Sequence, residues 1–171
     1  LNFPDSAKSA FIKYIEQNCG NENPYEQFES KRYALAYKMH EVLSEVAKGQ
    51  GADAVNAKAI IKFAEDVRGD KENPAIVIKN FPVDAVESLL APPTNPKDFS
   101  TNPAEKTGKK GYVTEWSLEA FNTLCGLSPT QAKDMQGGNR YHRVVPQKGM
   151  EQSPTNAGSQ LFPWHTEALY R

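Results

Sequence analysis

Apolar side chains recur at helical spacing in three runs along the first 68 residues. The first run predicts a helix over 5–18, with a polar cap at its start and Gly20 as its stop. The second predicts a long helix over 25–48, where Pro24 suits the first turn. The third predicts a helix over 53–68. The side chains expected to face the core are Phe11, Ile12, Ile15, Tyr25, Phe28, Leu35, Met39, Leu43, Val46, Val55, Ala59, Ile60, Phe63 and Val67.

The pattern changes after residue 68. Residues 69–74 form a turn-rich break, and the apolar, β-branched run 75–78 predicts the first strand. Residues 91–111 collect Pro, Asn, Lys and Gly and predict a long exposed loop. Helical spacing returns over 114–125, and strand-like spacing follows from 141 onwards. The inward side chains of this fourth helix are expected to be Trp116, Leu118, Phe121 and Leu124.

The triplet His165-Thr166-Glu167 near the end of the chain is the main candidate for chemistry. A His and a carboxylate two positions apart point the same way only on extended backbone, and Pro163 disfavours a helix here. Such a pair supplies two of the three ligands in the 2-His-1-carboxylate site of non-haem Fe(II) oxygenases. With 21 acidic residues in 171, the spacing also arises readily by chance, which leaves a strand-end histidine beside an ordinary surface carboxylate as the alternative.

Several segments, taken in order, resemble the clavaminate synthase-like oxygenases. The likeness spans about residues 74–171, and it includes the Thr between the two candidate ligands. This group belongs to the Fe(II)/2-oxoglutarate oxygenases, which are built on a double-stranded β-helix, or jelly roll. The segments that carry the resemblance are 75–84, 90–96, 115–129, 136–138, 143–146, 156–159 and 164–167.

The resemblance implies an α+β fold in a single oxygenase domain over 1–171. A helical N-terminal layer over 1–70 would pack on the opening strands of the jelly-roll core, which would begin at about residue 74. A jelly roll that stopped after the metal strand would leave unpaired edges. The sequence is therefore expected to be the N-terminal portion of a longer protein. The second His ligand and the Arg that binds the cosubstrate carboxylate are expected beyond Arg171.

The resemblance also implies an activity. His165 and Glu167 would hold Fe(II), with 2-oxoglutarate and O2 as cosubstrates, and the enzyme would hydroxylate an unactivated C–H bond. The substrate class would be a free amino acid, often a basic one such as lysine or arginine. Gln136, Asn156 and Ser159 fall where the family places polar contacts to the substrate, although each also suits a turn or loop. The segment 168–171 departs from the usual continuation, which bears on the identity of the substrate.

Composition limits the other classes of function. A formal net charge of −1 argues against a nucleic-acid or polybasic membrane surface, and no apolar run approaches the length of a membrane span. Cys19 and Cys125 lack metal-like spacing and are interpreted as buried thiols, which fits a cytoplasmic protein. His40 lies beside the apolar face of the second helix and is interpreted as a structural histidine.

Other catalytic patterns are missing from the sequence. A zinc deaminase also begins from His-x-Glu but needs a later Pro-Cys-x-x-Cys, which the two cysteines do not provide. His-Glu-x-x-His, the P-loop pattern and the Gly-x-Ser-x-Gly elbow are absent as well. The alternative from a different class is a non-catalytic helical binding or scaffold domain in which the His-x-Glu pair is incidental.

Overall fold

The computed structural model describes residues 1–20, 22, 24–69, 76–85, 112–127, 149 and 152. The chain divides into two compact units. The first unit comprises Leu1–Leu89 and Lys109–Gln131, and the second comprises Leu90–Gly108 and Ala132–Arg171. Of the second unit the structure describes only Gly149 and Gln152, so the architecture below is that of the first unit.

Four helices make up the described part of the first unit. They are α1 (Asp5–Asn18), α2 (Pro24–Ala47), α3 (Ala52–Arg68) and α4 (Val113–Leu124). Their bounds agree with the sequence predictions to within a residue. The polar cap predicted for α1 is wrong, because Pro4 holds the cap position and no side-chain cap hydrogen bond is made. α3 likewise begins after Gly51 without a side-chain cap. Pro24 is the first helical residue of α2, where its missing N–H costs no hydrogen bond. None of these described helices is long and apolar enough to cross a membrane.

The predicted α+β fold with opening jelly-roll strands is wrong for the described residues, which form helices and no strand. Residues 76–78, predicted as the first strand, have no regular secondary structure. The neighbouring Lys79 forms a single parallel bridge with Asn2. Two backbone bonds accompany it, from Phe3 N–H to Lys79 O at 2.8 Å and from Lys79 N–H to Leu1 O at 2.9 Å.

Local backbone geometry explains why this pairing does not extend. Asn80, next to the bridge, adopts the left-handed conformation with φ +56°, which turns the chain out of a ladder. Pro82 follows two residues later and has no N–H to donate. Val77 is 72% exposed, so the apolar run does not bury both faces as a central strand would. A short run of β-branched residues therefore predicted a strand where the chain makes one bridge.

The core lies where α2 packs on the other helices. Eight of the predicted inward side chains are buried, which confirms the faces that carry them: Phe11, Ile15, Leu35, Met39, Leu43, Ile60, Trp116 and Leu124. Six more are half-buried: Ile12, Val46, Ala59, Phe63, Val67 and Phe121. The side chains of Tyr25 and Phe28 lie outside the described part of the chain. Two predictions are wrong, because Val55 is 66% exposed and Leu118 is 42% exposed. On α3 the buried face carries mainly small residues, with alanines on either side of Ile60. Alanine lets helices approach closely, and its weak hydrophobicity hid this face from the sequence pattern. The fully buried large apolar side chains are Phe3, Phe11, Ile15, Leu35, Met39, Leu43, Ile60 and Trp116.

Four aromatic rings attach the segment 76–85 to the helices. Phe81 packs edge-on against Phe3, with ring centroids 5.7 Å apart, and against Phe121 at 5.9 Å. Phe121 also stacks with Phe63 at 6.5 Å. Such pairs add about 0.5–1.5 kcal/mol each beyond their burial. The segment is thus fixed to Phe3 and to α4 through side chains rather than through a sheet, and Phe121 in turn stacks on α3.

Asp84 caps the start of α4 from a distant part of the chain. Its carboxylate accepts hydrogen bonds from the N–H of Val113 at 2.9 Å and from the N–H of Thr114 at 3.2 Å. It also accepts a hydrogen bond from the Thr114 hydroxyl at 2.7 Å, and the backbone N–H of Asp84 donates to that hydroxyl oxygen at 3.0 Å. The helix has no side-chain cap from its own preceding residue, Tyr112. Asp84 therefore satisfies amides that would otherwise be left unpaired at this end.

Candidate functional site

The predicted metal and substrate residues lie outside the described part of the chain. This applies to His165 and Glu167, and equally to Gln136, Asn156 and Ser159. Their geometry is untested, so these assignments stay predictions. Within the residues that the structure does describe, no group of three or more His, Cys, Asp or Glu side chains is placed to hold a metal ion.

The described helices do form a pocket of about 400 Å³, open on one side between α2, α3 and the end of α4. Its volume lies in the range of small-molecule sites, about 300–1,000 Å³. We call it the helical pocket. It is lined by Tyr33, Ala36, Tyr37, His40, Ile61, Glu65, Arg68, Thr123, Leu124 and Gly126.

Helical spacing brings these side chains together. Tyr33, Tyr37 and His40 follow one another at i, i+4 and i+7 along α2, so they occupy one face. Ile61, Glu65 and Arg68 repeat the same spacing on α3. The end of α4 closes one side of the pocket, and it brings the negative end of the helix dipole to the wall.

Arg68 connects α3 to the end of α4. Its Nη2 donates a hydrogen bond to the carbonyl oxygen of Leu124, one of the carbonyls that a helix terminus leaves without a helical partner. Gly126 permits this approach, because its φ is +72° and a Cβ there would lie 3.0 Å from the Arg68 Cγ. The guanidinium therefore helps to build one wall of the pocket.

The other polar groups of the pocket have few partners. The His40 Nδ1 lies 3.5 Å from the Ser44 hydroxyl, a marginal distance for a hydrogen bond. The Tyr33 hydroxyl accepts a bond from Arg32 at 2.8 Å, and the guanidinium also lies 4.8 Å from the Tyr33 ring centre. The Thr123 hydroxyl is buried and has no hydrogen-bond partner among the residues that the structure describes. The site can thus offer donors, acceptors and aromatic surface to a ligand.

The sequence interpretation of His40 as structural missed this pocket. His40 is half-buried and lines it. The available signal was the Tyr33–Tyr37–His40 spacing, a second helical face beside the apolar one. That signal is weak because polar aromatic residues are common on exposed helix faces, and the α3 and α4 walls come from distant parts of the chain.

A separate polar contact lies in the interior between α2 and α4. Glu119 is 1% exposed and lies near Arg32, whose side chain is 14% exposed. The hydrogen bond to the Tyr33 hydroxyl raises the pKa of the Arg32 guanidinium above its ordinary value, and Glu29 and Glu119 raise it further. This guanidinium therefore stays charged, and we assign it a structural role at the α2–α4 contact.

The two cysteines are buried free thiols, as the sequence predicted. Burial raises the pKa of Cys19 to about 11, although Lys31 opposes the shift. Burial also raises the pKa of Cys125 to about 11, against the influence of Arg68. Because the thiolate is the reactive form, neither residue is suited to nucleophilic or redox chemistry at neutral pH.

Comparison of the chain with protein-family models, with curated proteins and with solved structures finds no match. Its function is therefore inferred from its own residues.

Proposed function

We propose that the protein is an Fe(II)- and 2-oxoglutarate-dependent oxygenase that hydroxylates a free amino acid of the lysine or arginine class. The observation that carries this proposal is the triplet His165-Thr166-Glu167, preceded by 136–138 and 156–159 in the order seen in clavaminate synthase-like oxygenases. The proposal rests on that sequence order and on the chemistry of the two side chains. It does not depend on the architecture of the helical unit.

His165 and Glu167 have donor atoms that suit Fe(II). A neutral imidazole nitrogen and a carboxylate oxygen are two of the ligand types in the 2-His-1-carboxylate site. With 2-oxoglutarate and O2, the bound metal would couple oxidative decarboxylation of the cosubstrate to hydroxylation of a C–H bond. The His165 imidazole must be neutral to bind, so metal affinity should fall at acidic pH.

Three polar residues are proposed to position the substrate. Gln136, Asn156 and Ser159 can donate or accept hydrogen bonds to the α-amino and carboxylate groups of an amino acid. They would orient the target carbon without contacting the iron. We further propose a cytoplasmic location, where buried free thiols such as Cys19 and Cys125 stay reduced.

Anaerobic titration with Fe(II) in the presence of 2-oxoglutarate tests the metal assignment. The experiment uses the protein that carries this chain, and it follows the weak visible band that arises when 2-oxoglutarate chelates the iron. Glu167→Ala should abolish the band together with amino-acid-dependent succinate formation, because it removes a ligand and its balancing charge. Glu45→Ala, on an exposed part of α2, serves as the control and should change neither. Near-normal coupled turnover in Glu167→Ala would show that the metal assignment is wrong.

Gln136→Ala tests the substrate assignment separately. It should raise the KM for the amino acid while leaving much of the uncoupled 2-oxoglutarate turnover, since it affects substrate placement and not the metal. If the amino-acid kinetics are unchanged, the substrate contact is wrong and the oxygenase proposal remains.

The second candidate function is a non-catalytic helical binding domain in which His165 and Glu167 are incidental. The helical pocket favours this alternative, because it is a concave site made by described residues alone. The iron titration separates the two functions. A non-catalytic binding domain would give no visible iron–2-oxoglutarate band and would form no succinate with any amino acid.

A further inference from the structure

Two opposite charges line the helical pocket one helical turn apart without forming an ion pair. Glu65 and Arg68 are both exposed on the pocket face of α3. No salt bridge joins them within the described ranges, where other side chains at this spacing do pair, such as Lys38 and Glu41 at 3.1 Å. The hydrogen bond from Arg68 to the end of α4 holds the guanidinium away from Glu65.

Both groups keep unused hydrogen-bonding capacity. A guanidinium has five N–H donors, and Arg68 uses one of them for the Leu124 carbonyl. The Glu65 carboxylate has no hydrogen bond or ion pair among the contacts of the described part of the chain. The pocket therefore offers a cationic donor and an anionic acceptor at the distance of neighbouring turns.

Apolar and aromatic surface adjoins these charges. Ala36 and Leu124 are buried in the pocket wall, and Ile61 is half-buried on α3. Tyr33 and Tyr37 remain 66% and 72% exposed although both line a concave site, and the Arg32 guanidinium lies over the Tyr33 ring. The exposed aromatic surface beside the pocket is available to pack on a ligand.

We propose that the helical pocket binds a free α-amino acid with an apolar or aromatic side chain. Arg68 would receive the carboxylate, Glu65 would receive the ammonium group, and the side chain would pack on Ile61 and the tyrosine rings. A simple anion would be repelled by Glu65 and a simple cation by Arg68, whereas a zwitterion satisfies both. The proposal goes beyond the oxygenase function, since it is binding without reaction and uses neither His165 nor Glu167.

Calorimetric titration of the full chain with L-phenylalanine tests this site, without iron or 2-oxoglutarate. We expect saturable binding with a Kd of about 1 mM or below. The analogue 3-phenylpropionate lacks the ammonium group and phenethylamine lacks the carboxylate. Each should bind about tenfold more weakly or worse, because each leaves one charged group of the pocket unpaired. Absence of saturation up to about 10 mM phenylalanine, or equal affinities for all three compounds, would overturn the proposal.

Single substitutions place the binding in the helical pocket. Glu65→Gln changes an exposed, unpaired carboxylate to an amide of the same shape and should weaken phenylalanine binding about tenfold, without weakening that of 3-phenylpropionate. Glu45→Gln, on α2 outside the pocket, is the matched control and should have no effect. Glu167→Ala should likewise leave binding intact. Unchanged affinity in Glu65→Gln, or lost affinity in Glu167→Ala, would overturn the assignment to this pocket.

Discussion

Replacing Asp84 with alanine should destabilise the first unit by removing the cap of α4. The carboxylate is 5% exposed, and it accepts bonds from two backbone amides and from the hydroxyl of Thr114. Alanine leaves the N–H of Val113 without this acceptor at a helix end where the preceding residue, Tyr112, makes no side-chain cap. The same change removes the side-chain hydrogen bonds between residue 84 and α4, so one substitution weakens both a helix terminus and a tertiary contact, while Phe81 still packs on Phe121.

The expected size of the effect follows from these bonds. Loss of an N-cap costs about 0.5–2 kcal/mol, and leaving a buried donor unpaired costs about 1–3 kcal/mol. The two ranges describe overlapping interactions, and removing a buried charge recovers some desolvation energy. We therefore expect a loss of about 2–3 kcal/mol in the free energy of unfolding. A domain of ordinary stability, about 5–15 kcal/mol, would stay folded with such a loss.

Urea denaturation followed by far-ultraviolet circular dichroism measures this loss. With an m-value of about 1–3 kcal/mol per molar urea, the urea midpoint for Asp84→Ala should fall by roughly 0.7–3 M, and the m-value itself should not change. Asp84→Asn should lose less, because its remaining oxygen can still accept from Val113. The control is Asp53→Ala, an exposed acid in the first turn of α3 that should cost about 0.5 kcal/mol. If Asp84→Ala and Asp53→Ala lose equal stability, the long-range cap does not contribute as argued.

Three further predictions concern stability and reactivity. Gly126→Ala should lower the free energy of unfolding by about 1–2 kcal/mol, because φ is +72° and the new Cβ would lie 3.0 Å from the Arg68 side chain. If the losses of Gly126→Ala and Arg68→Ala are additive in a double-mutant cycle, the Cβ does not clash with Arg68. Asn80→Ala should lower the free energy of unfolding by about 2 kcal/mol, since Asn80 has φ +56° and its side chain makes three hydrogen bonds to the start of the chain. Asn80→Gly should lose less stability, because glycine adopts a positive φ without strain. Equal losses in the two variants would show that backbone strain does not contribute. Cys19 and Cys125 should react slowly with DTNB at about pH 8 until the protein unfolds. Burial raises the pKa of each thiol from 9.0 to about 11, so the thiols of the unfolded chain lose their protons at lower pH than those of the folded chain. The contribution of the buried thiols to the free energy of unfolding is therefore full below pH 9.0 and falls as the pH rises towards about 11. A free energy of unfolding that does not change across this pH range would contradict the burial argument.

The helices could be predicted from the sequence because their ends carry local signals. Pro24 and the glycines after α1 and α2 act on their own neighbours, so no tertiary information is needed to place them. The inward face of α2 was equally clear, since Leu35, Met39 and Leu43 are large and apolar at helical spacing. The burial of Trp116 on α4 was predicted by the same helical spacing of large apolar residues.

The features that the sequence did not reveal depend on distant residues. Asp84 caps a helix that begins 29 residues later, and neither its type nor its position indicates that partner. The run 76–78 has strand-like composition, but a strand also needs a partner along its length, and here the pairing ends at Lys79. The helical pocket is likewise assembled from three helices whose pocket residues look ordinary one at a time.

The strand predicted at 75–78 does not form in the described residues, but neither proposed iron ligand, His165 or Glu167, belongs to that segment. Metal binding by His165 and Glu167 requires two side chains on one face of three extended residues, and that local condition involves no part of 76–78. The functional proposal and the helical unit are therefore tested by different substitutions. Glu167→Ala determines whether succinate formation depends on the carboxylate, and Glu65→Gln determines whether the helical pocket recognises a zwitterion. Because the two variants alter separate stretches of the chain, loss in one assay predicts nothing about the other, and each proposal can fail alone.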